Sequence, residues 1–183
     1  MDVAALALSI LSLFVAVIGT YLSNRRSKEA LQLSKKAAVD ARWSSLQEAV
    51  QRLMAFDPTA EPVGERLANL RIGMVALIDE LPEWTSLDVW LETEHALGAT
   101  LGRQVMETAK PGDSVEQRLI NLDPLMTWAQ ALSSNLRHLK SKGPDPEALK
   151  KLASHNKSLI AQTHEKNGWD PRPEANPRIK PLE

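Results

Sequence analysis

The chain has no cysteine among its 183 residues. That excludes a disulfide framework, a thiolate metal site and a cysteine nucleophile, and it matches a reducing compartment. Neither sign of charge dominates, since 22 Lys and Arg stand against 23 Asp and Glu. A nucleic-acid-binding surface is normally strongly basic, so no nucleic-acid partner is expected. Aromatic residues are few, yet five of the eight are Trp. Catalytic motifs are missing as well: there is no glycine-rich phosphate loop, no H-E-x-x-H and no G-x-S-x-G elbow. No segment alternates apolar and polar with period two, so no sheet is predicted. The most informative absence is local. From Val3 to Leu22 no side chain is charged at neutral pH.

That run, VAALALSILSLFVAVIGTYL, is twenty residues long. A helix needs about 20 apolar residues to cross a hydrocarbon core of about 30 Å. A secretory signal peptide carries its positive charge ahead of a shorter apolar region. Here only Asp2 precedes the run, while Arg25, Arg26 and Lys28 follow it, and Gly19-Thr20-Tyr21 is a poor cleavage site. The run is also longer than the typical buried core helix. Residues 1–22 are therefore predicted to be a retained transmembrane anchor. Basic residues favour the cytoplasmic side, which gives an N-out, single-pass protein of the cell membrane with its C-terminal domain in the cytoplasm.

Within the run Ala5, Ser9, Ser12, Ala16, Gly19 and Ser23 recur at spacings of 4, 3, 4, 3 and 4. Small residues let helix backbones approach closely in lipid, so this seam predicts packing against a second copy or a partner span. Beyond it lies a membrane-proximal basic cluster, Arg25, Arg26, Lys28, Lys35 and Lys36, which with Glu29 nets +4. Such a cluster suits the anionic inner leaflet and also suffices as a topology determinant.

The remainder reads as helices divided by proline-bearing breaks. Glu29 to Phe56 lacks Gly and Pro, and Val39, Trp43, Leu46, Val50 and Leu53 form an a/d seam. Packing on the chain's own bundle is predicted for it over a coiled coil. Nothing between Leu22 and Glu29 forces a break, so the anchor is expected to continue into this helix. Asp57-Pro58 stops it. A second helix is predicted from Gly64 to Leu81, and a third from a cap at Thr85 or Ser86 to Ala109, with Trp84 on its apolar surface. Ser114 followed by Gln117 resembles a capping box opening a fourth segment to Lys142, in which Pro124 marks a kink or a new start. The last helix spans Pro146 to Lys166 and stops at Asn167-Gly168. The fold predicted is all-α: a single N-terminal transmembrane helix (1–22) and a juxtamembrane amphipathic helix (23–56) leading into a cytoplasmic antiparallel helical bundle (57–168), with a disordered proline-rich tail (169–183).

Three further patterns bear on function. Arg66-Leu67-Ala68-Asn69-Leu70 is echoed by Arg118-Leu119-Ile120-Asn121-Leu122, which is either a duplicated hairpin or ordinary amphipathic pattern. Gly98 and Gly102 suggest a close helix approach, with Gly73 the expected neighbour. Glu92 and His95 make a lone E-x-x-H, without the second copy that a di-iron bundle requires. No metal, cofactor or small-molecule ligand is predicted. Asp57 to Glu94 nets −7, and Trp90 falls off the stripe of Trp84, Leu87 and Leu91. Trp90 with Asp88, Glu92 and Glu94 is thus the candidate partner surface. The pattern favours a non-enzymatic, membrane-anchored adaptor or assembly subunit, with the bilayer and a second copy or a membrane protein as partners. The alternatives are a self-oligomerising membrane effector of toxin or phage-defence type and, less favoured, a membrane-bound enzyme.

Overall fold

The structure is a computed structural model that describes residues 3–57 and 60–170, with side chains described from Thr20 onward. Among the described residues it holds five helices and no strand: α1 (Val3–Met54), α2 (Val63–Glu80), α3 (Leu87–Thr108), α4 (Val115–Lys142) and α5 (Pro146–Asn167). The chain forms two compact units, Met1–Ala41 and Arg42–Glu183. Residues 42–54 of α1 therefore belong with the bundle, which starts earlier than the break at Asp57 suggests.

The first unit holds the N-terminal part of α1 and no other helix. Its described side chains from Thr20 to Ala37 are all exposed, Tyr21, Leu22, Leu31 and Leu33 included. Among the described residues no helix is long and apolar enough to cross a membrane. The side chains of residues 1–19, which carry most of the uncharged run, lie outside that description.

In the second unit α3 is central and packs against α2, α4 and α5. Trp43, Leu46, Val50 and Leu53 of α1 are buried in the core, as the a/d seam predicts for packing on the chain's own bundle, whereas Val39, the first seam position, is only half-buried. Gln47 and Ser133 tie α1 to α4 reciprocally. The Gln47 amide donates to the Ser133 carbonyl at 3.3 Å, and the Ser133 hydroxyl donates to Gln47 Oε1 at 3.2 Å.

The glycines mark the close approaches, though with other neighbours than expected. A Cβ on Gly98 would sit 2.2 Å from the Trp128 ring. One on Gly102 would meet Val63 at 3.0 Å and Leu67 at 3.1 Å. Gly73 faces Leu46 of α1 at 3.2 Å, not α3. The central helix thus needs small residues on two faces, one for the Trp128 ring of α4 and one for α2.

Most helix ends follow their local chemistry. Ser114 accepts from the Gln117 N–H at 3.2 Å, and Asp145 accepts from the N–H groups of Glu147 and Ala148 at 3.1 Å. Pro124 lies inside a single α4 and starts no new helix. Gly168 ends α5 in the left-handed conformation, with φ 65°, at little steric cost. Ser86 departs from expectation. It precedes α3 with φ 71°, and its side chain caps nothing. Trp84 likewise sits in the turn before α3, where its ring packs on Trp43 with centroids 5.8 Å apart.

Candidate functional site

The partner surface predicted around Trp90 divides in two. Asp88 and Glu92 are exposed, but Trp90 is 0% and Glu94 3% exposed. A central helix is covered on several faces, so falling off one apolar stripe does not bring a side chain to the surface. Trp90 and Glu94 stand one turn apart on α3, and the Trp90 indole N–H donates to Glu94 Oε1 at 2.8 Å. From α4 the Trp128 indole N–H donates to Glu94 Oε2 at 2.7 Å. Each carboxylate oxygen is thus committed to one indole. Gly98, a further turn along, leaves room for the Trp128 ring. Beside this cluster the Thr93 hydroxyl donates to the Trp90 carbonyl at 2.8 Å and accepts from Asn156 of α5 at 3.4 Å. Buried indole N–H groups need an acceptor, and Glu94 satisfies two of them. This is core architecture and not a docking surface. The sequence signal for it was the W-x-x-x-E-x-x-x-G spacing on a helix rich in small residues.

The E-x-x-H pair does reach one hollow. Glu92 and His95 line it together with Arg71, Met74, Val75, Ile78 and Leu91, and Arg71 Nη1 lies 3.4 Å from His95 Nδ1. Its volume is about 50 Å³, far below the roughly 300 Å³ at which small-molecule pockets begin. Among the described residues no three His, Cys, Asp or Glu converge as metal ligands.

A larger groove of about 290 Å³ runs between α1 and α2, lined by Ser45, Glu48, Ala49, Arg52, Arg66, Asn69, Ile72 and Gly73. Its two guanidinium groups are internally neutralised. Arg52 pairs with Glu48 at 2.6 Å, and Arg66 bonds Glu61 through both Nε and Nη2. The Glu61 hydrogen bond holds the Arg66 guanidinium above its ordinary value.

The basic cluster Arg25, Arg26, Lys28, Lys35 and Lys36 is wholly exposed, with Arg25 bonded to Glu29 at 2.9 Å. In the predicted packing seam Ser23 is exposed, while the side chains of Ala5, Ser9, Ser12, Ala16 and Gly19 lie outside the described residues.

The end of the chain holds a contact that sequence reasoning missed. Trp169 was expected to begin a disordered tail. Instead its ring stacks on the Arg103 guanidinium at 4.1 Å, and its indole N–H donates to Glu107 Oε2 at 3.0 Å. The His164 ring meets it edge-on, with centroids 5.4 Å apart. His164 Nδ1 lies 3.0 Å from the Asp170 carbonyl, which only accepts, so this nitrogen carries the proton. Residues 171–183 of the predicted tail lie outside the described residues.

Compared with known protein families, curated proteins and solved structures, the chain matches none.

Proposed function

We propose that the chain is a single-pass, membrane-tethered helical adaptor, non-enzymatic, that binds a protein partner at the inner face of the cell membrane. The observation that carries the reading is the charge order along α1: twenty residues without a side chain charged at neutral pH, then five cations between Arg25 and Lys36. Those cations are exposed, as contact with anionic headgroups requires. The same helix further along supplies Leu46, Val50 and Leu53 to the bundle core. The non-enzymatic reading rests on how the polar groups are used. Glu94 is bound on both oxygens, the guanidinium groups of the α1–α2 groove are paired, and the hollow beside His95 is too small for a substrate.

The absence of native cysteine makes the topology directly testable. Full-length chains carrying Asp2→Cys or Ser34→Cys are treated in intact cells with a membrane-impermeant maleimide. The reading requires retention in the membrane pellet after alkaline extraction, labelling at position 2, and labelling at position 34 only after the cells are opened. Release into the supernatant overturns the anchor, and reversed labelling overturns the orientation. Native mass in mild detergent then tests the adaptor role. A stoichiometric second polypeptide is expected, and a homo-oligomer alone overturns it in favour of the self-assembling effector.

A further inference from the structure

The opening of α4 contributes nothing to the core. From Val115 to Pro124 no residue is buried, and the buried face starts at Leu125. Yet these turns are apolar along one line. Val115, Leu119, Leu122 and Met126 share a face at spacings of 4, 3 and 4, with Ile120 beside them. Val115, Leu119 and Ile120 are 60 to 70% exposed.

We propose that this ridge is covered in cis by the chain's own segment Arg178-Ile179-Lys180-Pro181-Leu182. The point at which the chain leaves the described fold supports it. Trp169 is pinned to Arg103 and Glu107 in the last turns of α3. Six residues, Ala109 to Ser114, connect that helix to Val115. The connection folds back on itself, because Asp113 N–H donates to the Lys110 carbonyl at 3.1 Å and Lys110 N–H donates to Asp113 Oδ2 at 2.9 Å. The nine residue steps from Asp170 to Ile179 span up to about 30 Å, which covers the distance such a short loop allows. Charge and spacing also match. Exposed Glu116 and Asp123 flank the ridge, and Arg178 and Lys180 flank Ile179. In the extended helix of three residues per turn that prolines favour, positions 179 and 182 would share a face about 9 Å apart. Val115 and Leu122 are about 10 Å apart along α4.

A double-cysteine variant tests this in the otherwise cysteine-free full chain, purified in mild detergent. Leu119→Cys with Ile179→Cys is compared with Ile72→Cys and Ile179→Cys, because Ile72 is equally exposed on α2. Leu119 and Ile72 are both exposed on their helices, so folding is not at stake there, and circular dichroism verifies it for every variant. The expected result is an intramolecular disulfide forming at least about tenfold faster in the ridge pair than in the control, slowed by Arg178→Glu with Lys180→Glu. Equal rates in the two pairs overturn the proposal. So does a disulfide that joins two chains, which would make a second copy the occupant.

Discussion

Arg66 to Leu70 near the start of α2 and Arg118 to Leu122 near the start of α4 carry the same residue types at the same offsets, and they end in different surroundings. Both arginines reach back five residues, Arg66 to the Glu61 carboxylate and Arg118 to the Asp113 carbonyl at 3.1 Å. The leucines diverge. Leu67 and Leu70 are buried, whereas Leu119 is exposed and Leu122 half-buried. The cause is what lies opposite. Leu67 meets Gly102 of α3, and further along α2 Leu46 of α1 packs on Gly73, whereas α4 begins three turns before its first core residue. An amphipathic pattern says which face is apolar and is silent on whether a neighbour covers it. The repeat is therefore no sign of duplicated hairpins with equivalent roles.

The largest expected effect follows directly. Leu70→Ala should lower the free energy of unfolding by about 2–5 kcal/mol, the cost of a large-to-small change in a packed core. Leu119→Ala should stay within about 0.5 kcal/mol, as for surface positions generally. Chemical denaturation of both variants measures the difference, and equal losses would break the comparison.

Glycines sharpen it further. Gly98→Ala forces the Trp128 ring to move, and that ring is anchored by its bond to Glu94. Overpacking of this kind costs about 1–3 kcal/mol. Gly64→Ala, at an exposed position of α2 with nothing within 4 Å, should instead stabilise by up to about 1 kcal/mol through helix propensity. Thermal melts of the pair should therefore shift in opposite directions.

The helix starts differ in the same sense. α2 begins at buried Val63 after Pro62, whose side chain caps nothing, so packing holds its first turn. The first turn of α4 is exposed and relies on Ser114. Ser114→Ala should cost about 1 kcal/mol and accelerate hydrogen exchange in residues 115–120 while leaving α2 unchanged.

How much of this was legible in advance depended on the range of the interaction. Helix boundaries came through to within a few residues, because Asp145, Ser114, Gly168 and the prolines act on their own backbone. The α1 seam came through because Trp43, Leu46, Val50 and Leu53 repeat with a regular period. Burial on the central helix did not. Trp90 and Glu94 lie off the stripe of Trp84, Leu87 and Leu91, and they are covered by partners from later in the chain, with Trp128 of α4 on Glu94 and Asn156 of α5 beside it on Thr93. The partner of Gly98 was missed for the same reason: a glycine announces a close approach without naming what approaches. Trp169 was hidden by its proline-rich neighbours, since composition says nothing of one ring finding an Arg–Glu pair on α3.

That last contact carries the smallest expected effect and a defined sign. The Arg103 hydrogen bond holds the Glu107 carboxyl below its ordinary value of 4.5, against slight desolvation and with help from the Trp169 indole N–H. A carboxylate favoured in the folded state contributes stability that is present above the unfolded value and lost as pH falls through the folded one. Trp169 should therefore stay docked from neutral pH down to the ordinary carboxyl value of 4.5 and loosen only as the pH falls below it. The fluorescence difference between the wild-type chain and Trp169→Phe isolates this ring from the other four tryptophans, with circular dichroism at each pH to confirm that the helices persist. In Glu107→Gln the acid step should vanish, because the group that accepts from the indole N–H no longer titrates. If the step survives in that variant, the pin at the end of α5 lies elsewhere, and the chain no longer leaves the fold one short loop from the uncovered start of α4.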